Sequence, residues 1–146
     1  MHRRAFAAAM LSLPATRLWA RTYDPVFAKG GIAIGGIDPV AYFTDGAPVQ
    51  GSAKLALKWG GAVWRFASAE HLAMFEADPR KLAPRYGGYC AYAMTEGQVT
   101  KSVPEAWTIH EGRLYLTASL ERRKMWERDL AGNIAKADSH WPQALG

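Results

Sequence analysis

Cysteine is nearly absent from this chain, whose 146 residues include only Cys90. A single cysteine cannot form a disulfide within the chain, so the disulfide scaffolds of small secreted proteins are excluded. A zinc site closed by four cysteines is excluded by the same count. Long apolar runs are also scarce. The run at 5–13 covers nine residues, which is too short to span a bilayer.

A strong excess of one charge sign is missing once residues 1–20 are set aside. Those residues carry three of the 18 Lys and Arg side chains and no acidic residue, which leaves 15 basic and 13 acidic residues in the remainder. The remaining basic residues are scattered, apart from 122–124, which lie beside Glu121 and Glu127 as on a solvated helix face. Nucleic-acid binding needs a concentrated basic stripe and is therefore not expected.

Aromatic residues, in contrast, are plentiful: six Trp, six Tyr and five Phe. With 49% hydrophobic and 21% charged residues, the composition is that of one ordinary globular domain with a core rich in rings. The sequence contains no internal repeat and no second domain.

Residues 1–20 have the pattern of an export signal. Arg3 and Arg4 precede the apolar run, Pro14 follows it, and the small residue Ala20 stands at the expected cleavage site. The order Arg-Arg-Ala-Phe also resembles a twin-arginine signal. We therefore expect a periplasmic or otherwise exported protein with no membrane span after signal removal. Cleavage is expected after Ala20, or alternatively after Ala28. The alternative to a signal is a basic, amphipathic N-terminal helix. Residues 21–31 are expected to be a connector, 32–142 the domain and 143–146 a tail.

The periodicity of the domain predicts an α+β fold. Alternating apolar residues at 55–59 and 63–67, interrupted by Gly60 and Gly61, predict one hairpin, and residues 106–117 predict a second. Asp38, Ser68 and Ser119 occupy positions typical of helix N-caps. We expect a small antiparallel sheet of two hairpins, packed against short helices and a long C-terminal helix that begins at Ser119.

Five motifs follow one another in the order typical of the YHS-domain family, which the chain therefore resembles. The resemblance is greatest to the exported single-domain branch, in which some members carry selenocysteine at the motif cysteine. The likeness covers residues 30–141, although Ile37 stands where a Tyr often precedes Asp-Pro. The motifs are IDPVAYF at 37–43, WRFASAEH at 64–71, FEADP at 75–79, YGGYCA at 86–91 and EAW at 105–107. The resemblance implies a metal-binding module and the position of Cys90 in it. It implies no complete ligand set, because family members that bind metal use several cysteines.

The residue types around Cys90 favour a soft metal ion such as Cu(I). A thiolate is a soft ligand, and Met94, four residues later, brings a second sulfur to it if the stretch forms a helical turn. His71 is predicted to face inward, where its imidazole is a candidate third ligand or a base for the thiol. The alternatives without a ligand role are a buried inert cysteine, a core methionine and a core histidine.

Two other functions use the same part of the sequence. Cys90 is a candidate nucleophile of a thiol-based redox protein, which would need an external thiol because no second cysteine is present. A binding module with an aromatic pocket for a small ligand is the other alternative, and enzymatic activity is less expected than binding. The residues that would form the rim of that pocket are Tyr86, Tyr89, Tyr92 and Trp107.

Overall fold

The computed structural model describes residues 21–146, and the predicted export signal at 1–20 lies outside them. The fold is α+β, as predicted. The strands are β1 (Ala28–Lys29), β2 (Ile32–Ala33), β3 (Ser52–Trp59), β4 (Ala62–Phe66), β5 (Trp107–His110) and β6 (Arg113–Leu116). The α-helices are α1 (Ala41–Thr44), α2 (Ala69–Ala77), α3 (Pro79–Leu82), α4 (Ala91–Met94), α5 (Leu120–Glu127) and α6 (Leu130–His140).

The two predicted hairpins are present, but they belong to separate sheets. β3 and β4 pair antiparallel within a four-stranded sheet of order β1-β2-β4-β3, and β5 and β6 form a two-stranded sheet. β2 runs parallel to β4 through the pair Ile32 and Val63. Residues 21–31, expected to be a connector, include β1 and the buried Val26. This segment is therefore part of the packed domain.

Two apolar clusters form the core. The first lies between the four-stranded sheet and α2, where the alternation of β4 buries Trp64 and Phe66 against Phe75. The sequence after the Ser68 cap predicts a helix with Leu72, Met74 and Phe75 facing inward. Met74 is 37% exposed, so its predicted position is wrong. Leu72 packs against the first cluster, as predicted.

The second cluster is rich in aromatic rings and joins α4, α5 and α6 to β6. Trp126 is at its centre, 5.2 Å from the ring of Tyr115 and 6.4 Å from that of Tyr86. The two ends of the described chain meet near this cluster, because the Tyr23 N–H donates to the Leu145 carbonyl at 3.1 Å. None of the helices between residues 21 and 146 has the length and apolar character needed to cross a membrane.

Candidate functional site

Cys90 lies at the N-cap of α4, directly after a tight turn at Arg85–Gly88. Gly87 and Gly88 both have positive φ, at 64° and 83°, a conformation that glycine adopts without strain. At Gly87 a side chain is also excluded by space, because a Cβ there would overlap the carbonyl oxygen of Pro25. The Gly-Gly pair thus provides the tight turn before Cys90.

Two backbone N–H groups donate to the sulfur of Cys90. Ala93 N lies 3.4 Å from Sγ within the first turn of α4, and Ala118 N lies 3.2 Å from it across the domain. The residue is 1% exposed, and its own N–H donates to the Thr100 carbonyl at 3.0 Å. Backbone N–H groups that donate to sulfur also surround the sulfur ligands of metal centres, so the two donors suit a metal-bound sulfur.

Thr117 holds the segment that presents Ala118 to the sulfur. Its hydroxyl donates to the Ala106 carbonyl at 3.0 Å, and its N–H donates to the same carbonyl at 2.8 Å. The Thr117 carbonyl in turn accepts from Val103 N at 2.9 Å. Because the side chain is fully buried, these bonds fix the end of β6 beside Cys90.

Met94 stands one helical turn after Cys90, as the ligand hypothesis requires. Its N–H donates to the Cys90 carbonyl at 3.2 Å, which places the two residues at i and i+4 of one turn. Its side chain is fully buried and packs in the second cluster.

His71 lies in a different cluster of polar groups. Its Nδ1 is 2.5 Å from Oδ2 of Asp38, and its Nε2 is 3.1 Å from the hydroxyl oxygen of Thr44. A carboxylate only accepts hydrogen bonds, so His71 carries a proton on Nδ1. Its side chain is 12% exposed, which agrees with the inward position predicted from α2. Both ring nitrogens have partners here, and none of the hydrogen bonds found among residues 21–146 joins the ring to Cys90.

Asp38 is the polar residue whose role was not foreseen in full. Oδ1 accepts from the N–H groups of Val40 and Ala41 at the start of α1, although the N-cap position itself is Val40 and not the predicted Asp38. Oδ2 accepts from Ala67 N at 2.9 Å in addition to His71. The second set of bonds depends on the end of β4 reaching α1, and no local pattern in the sequence carries that information.

The four predicted rim residues have four different sets of partners. The hydroxyl of Tyr86 donates to Asp138 at 2.9 Å, and that of Tyr89 donates to the Asp24 carbonyl at 2.8 Å. Tyr92 lies under the guanidinium of Arg122, whereas Trp107 packs on Tyr42 and under Arg123. Of the four, Tyr86 lines a surface groove.

Burial raises the pKa of several tyrosines above the usual value. For Tyr86 the hydrogen bond to Asp138 and the charge of that carboxylate raise the pKa further. For Tyr42 the second cause is the charge of Glu105, and for Tyr89 it is that of Asp24. These phenols therefore stay protonated, as hydrogen-bond donors, at neutral pH.

Between residues 21 and 146, no three His, Cys, Asp or Glu side chains come close enough together to hold a metal ion. In the described part of the chain, Cys90 can therefore share a metal with at most one further side chain of these four types. Comparison of the chain with protein-family models, curated proteins and solved structures gave no match. The likeness to the YHS-domain family stays a prediction that rests on the five sequence motifs.

Proposed function

We propose that this protein is an exported binding module that holds one soft metal ion, with Cu(I) the best match, through the sulfur of Cys90. The observation that carries the proposal is the pair of N–H donors on Sγ, from Ala93 and Ala118. Hydrogen bonds of this kind tune metal–thiolate centres and offset the charge that sulfur gains when it loses its proton.

The burial of Cys90 also suits a singly charged soft ion. An isolated thiolate is costly in a site that is 1% exposed, because burial penalises an uncompensated charge. A thiolate bound to Cu(I) carries no net charge, so the same burial costs much less. Thiolate and thioether ligands both select Cu(I) over harder ions.

Met94 is the second ligand in this proposal, because it follows Cys90 by one turn of α4. His71 is left out, since Asp38 and Thr44 occupy both of its ring nitrogens. Two sulfur ligands are enough for Cu(I), whereas zinc requires a fuller set of protein ligands.

The proposal is tested by fractionating cells that express the full chain and measuring copper in the purified protein. We expect the protein in the exported fraction, and about one Cu(I) per chain after titration under reducing conditions, because one thiolate anchors one site. Cys90→Ser should lose tight binding, and Met94→Leu should weaken it about tenfold, which is about 1.4 kcal/mol.

Met74→Leu is the matched control, because it removes a thioether that lies on the exposed side of α2. Unchanged Cu(I) affinity in Cys90→Ser contradicts the metal proposal, and retention of the full chain in the cytoplasm contradicts export. Equal losses in Met74→Leu and Met94→Leu remove Met94 from the ligand set.

The redox alternative uses the same sulfur but predicts a different behaviour. A nucleophilic thiol must be reached by its substrate, so it reacts with iodoacetamide in the folded, metal-free protein. We expect Cys90 to be alkylated in the metal-free form and to be protected once Cu(I) is bound. Alkylation at the same rate with and without Cu(I) favours the redox protein, and no alkylation in either state until unfolding indicates a passive core cysteine.

A further inference from the structure

A groove lined in part by the Arg85–Gly88 turn has the features of a small-molecule site. Its volume is about 280 Å³, close to the lower end of the range for such sites. It is lined by Pro25 and the turn, by Trp59 from the end of β3 and by Trp141, which follows α6. A second cavity of about 460 Å³ adjoins it and shares Pro25 and Val26.

The two tryptophans that line this groove pack against other aromatic rings. Trp59 meets Phe75 edge to face, with ring centres 5.7 Å apart, and also contacts Trp64 at 6.0 Å. Trp141 contacts Tyr86 at 6.1 Å in a similar edge geometry. Both tryptophans are only half-buried, so part of each indole is available to a ligand. Rings fixed in this way bind a planar partner with little loss of conformational entropy.

The groove also carries an excess of positive charge. Arg80 and Arg85 both line it, and a third guanidinium, that of Arg113, donates to the Arg80 carbonyl at 3.3 Å. Oδ1 of Asp138 forms an ion pair with the Arg85 guanidinium at 3.5 Å and also accepts from the Tyr86 hydroxyl. On the side of the adjoining cavity the charged residue is Asp24.

Arg80 is the guanidinium best placed for a ligand. It forms no ion pair with any carboxylate in residues 21–146, and residues 1–20 contain no Asp or Glu that could pair with it. Its exposed side chain at the rim of an aromatic groove can therefore meet an incoming carboxylate with both N–H edges, the geometry that arginine favours.

We propose that this groove binds a small planar anion, an aromatic carboxylate, whose ring packs against Trp59 and Trp141 and whose carboxylate pairs with Arg80. The inference is independent of the metal proposal, because none of the residues that line the groove is Cys90 or Met94. Binding of this kind would give the domain a second ligand, an organic one.

The experiment titrates the full chain with 2-naphthoate, and separately with the neutral 2-naphthamide and the non-aromatic cyclohexanecarboxylate. Calorimetry at low ionic strength should show saturable binding of 2-naphthoate at one site, at least about tenfold tighter than either comparison compound. Arg80→Gln should weaken 2-naphthoate about tenfold and leave 2-naphthamide unchanged, since the amide forms no ion pair.

Arg128→Gln is the matched control, because it removes an exposed arginine from the end of α5, outside the groove. Trp59→Leu provides a second test and should weaken 2-naphthoate and 2-naphthamide by the same factor. The proposal is overturned by non-saturable binding, by equal binding of acid and amide, or by equal losses in Arg80→Gln and Arg128→Gln. Circular dichroism of each variant separates loss of the site from loss of the fold.

Discussion

At the scale of single residues, one carboxylate joins three parts of the chain. Asp38 is 0% exposed and accepts hydrogen bonds from the start of α1, from the residue that follows β4 and from a side chain of α2. Removing the carboxylate would take this partner from all four donors, and two of them, the N–H groups of Val40 and Ala41, belong to fully buried residues. Such losses cost more free energy than the hydrogen bonds themselves contribute.

Asp38→Ala should therefore lower the free energy of unfolding by about 3 kcal/mol or more. Urea denaturation followed by circular dichroism measures this change. Asp45→Ala is the control, because Asp45 is exposed and its side chain accepts, among residues 21–146, only from the Thr44 hydroxyl at 2.9 Å. It should cost about 0.5 kcal/mol or less, and similar losses in the two variants would contradict the role given to Asp38.

The sequence predicts local roles of residues better than their tertiary partners. The caps at Ser68 and Ser119 are confirmed by hydrogen bonds to N–H groups three residues later, at 3.1 Å in both cases. Their signal lies within four residues of sequence. The partner of His71 lies 33 residues away, and the Ala118 donor to Cys90 lies 28 residues away. Contacts of this kind depend on how the elements pack, which the pattern of one chain does not specify.

At the scale of elements, the expected long C-terminal helix is two helices. α5 ends at Glu127, and α6 begins after Asp129, whose side chain accepts from Gly132 N at 3.1 Å. Apolar residues continue at helical spacing through both helices, which is why the sequence predicted a single one. The break allows Trp126 and Ala137 to face the same aromatic cluster from two directions.

Removing this cap should cost about 1 kcal/mol of stability in Asp129→Ala, since a capping side chain satisfies an N–H that the helix leaves open. Asp129→Ser should restore most of the loss, because serine is also a good cap. Thermal denaturation of the two variants gives the comparison. Equal stability of Asp129→Ala and the parent would show that packing alone maintains the break.

The strand predictions are likewise correct where the signal is local and incomplete where it is not. Both hairpins were predicted with small errors in their bounds, because alternation and Gly-containing turns are local signals. β1 and β2 were not foreseen, since each has two residues, too few to show an alternation. The parallel contact of β2 with β4 therefore had no counterpart in the sequence pattern.

At the scale of the whole molecule, the buried tyrosines make stability depend on alkaline pH. Burial raises the pKa of Tyr86, Tyr42, Tyr89 and Tyr115 in the folded state, whereas the unfolded chain keeps values of about 10. The unfolded state therefore releases protons first as the pH rises. The stabilisation is fully present below about pH 10 and is lost progressively above it.

We expect the urea midpoint to stay constant from neutral pH and to fall steeply above about pH 10. Phenolate absorbance at 295 nm, measured on the same samples, should rise together with unfolding for the buried tyrosines. Tyr86→Phe should make the fall less steep, while Tyr23→Phe, in an exposed side chain, is the control. Full ionisation of all tyrosines before any loss of structure would contradict the assigned burial.

Because residues 22–23 lie next to 145–146, the domain is a candidate for circular permutation. The Tyr23 N–H donates to the Leu145 carbonyl, and Gly146 lies against the side chain of Thr22, so a short linker can connect residue 146 to residue 22 without crossing the core. The turn at Glu111–Gly112 is exposed, and a Cβ at Gly112 meets no atom within 4 Å. A circular permutant opened at that turn would keep the Cys90 turn, the groove and both apolar clusters. A permutant that folds, as judged by circular dichroism, would show that the order in which the chain visits its elements is separable from the architecture that they form.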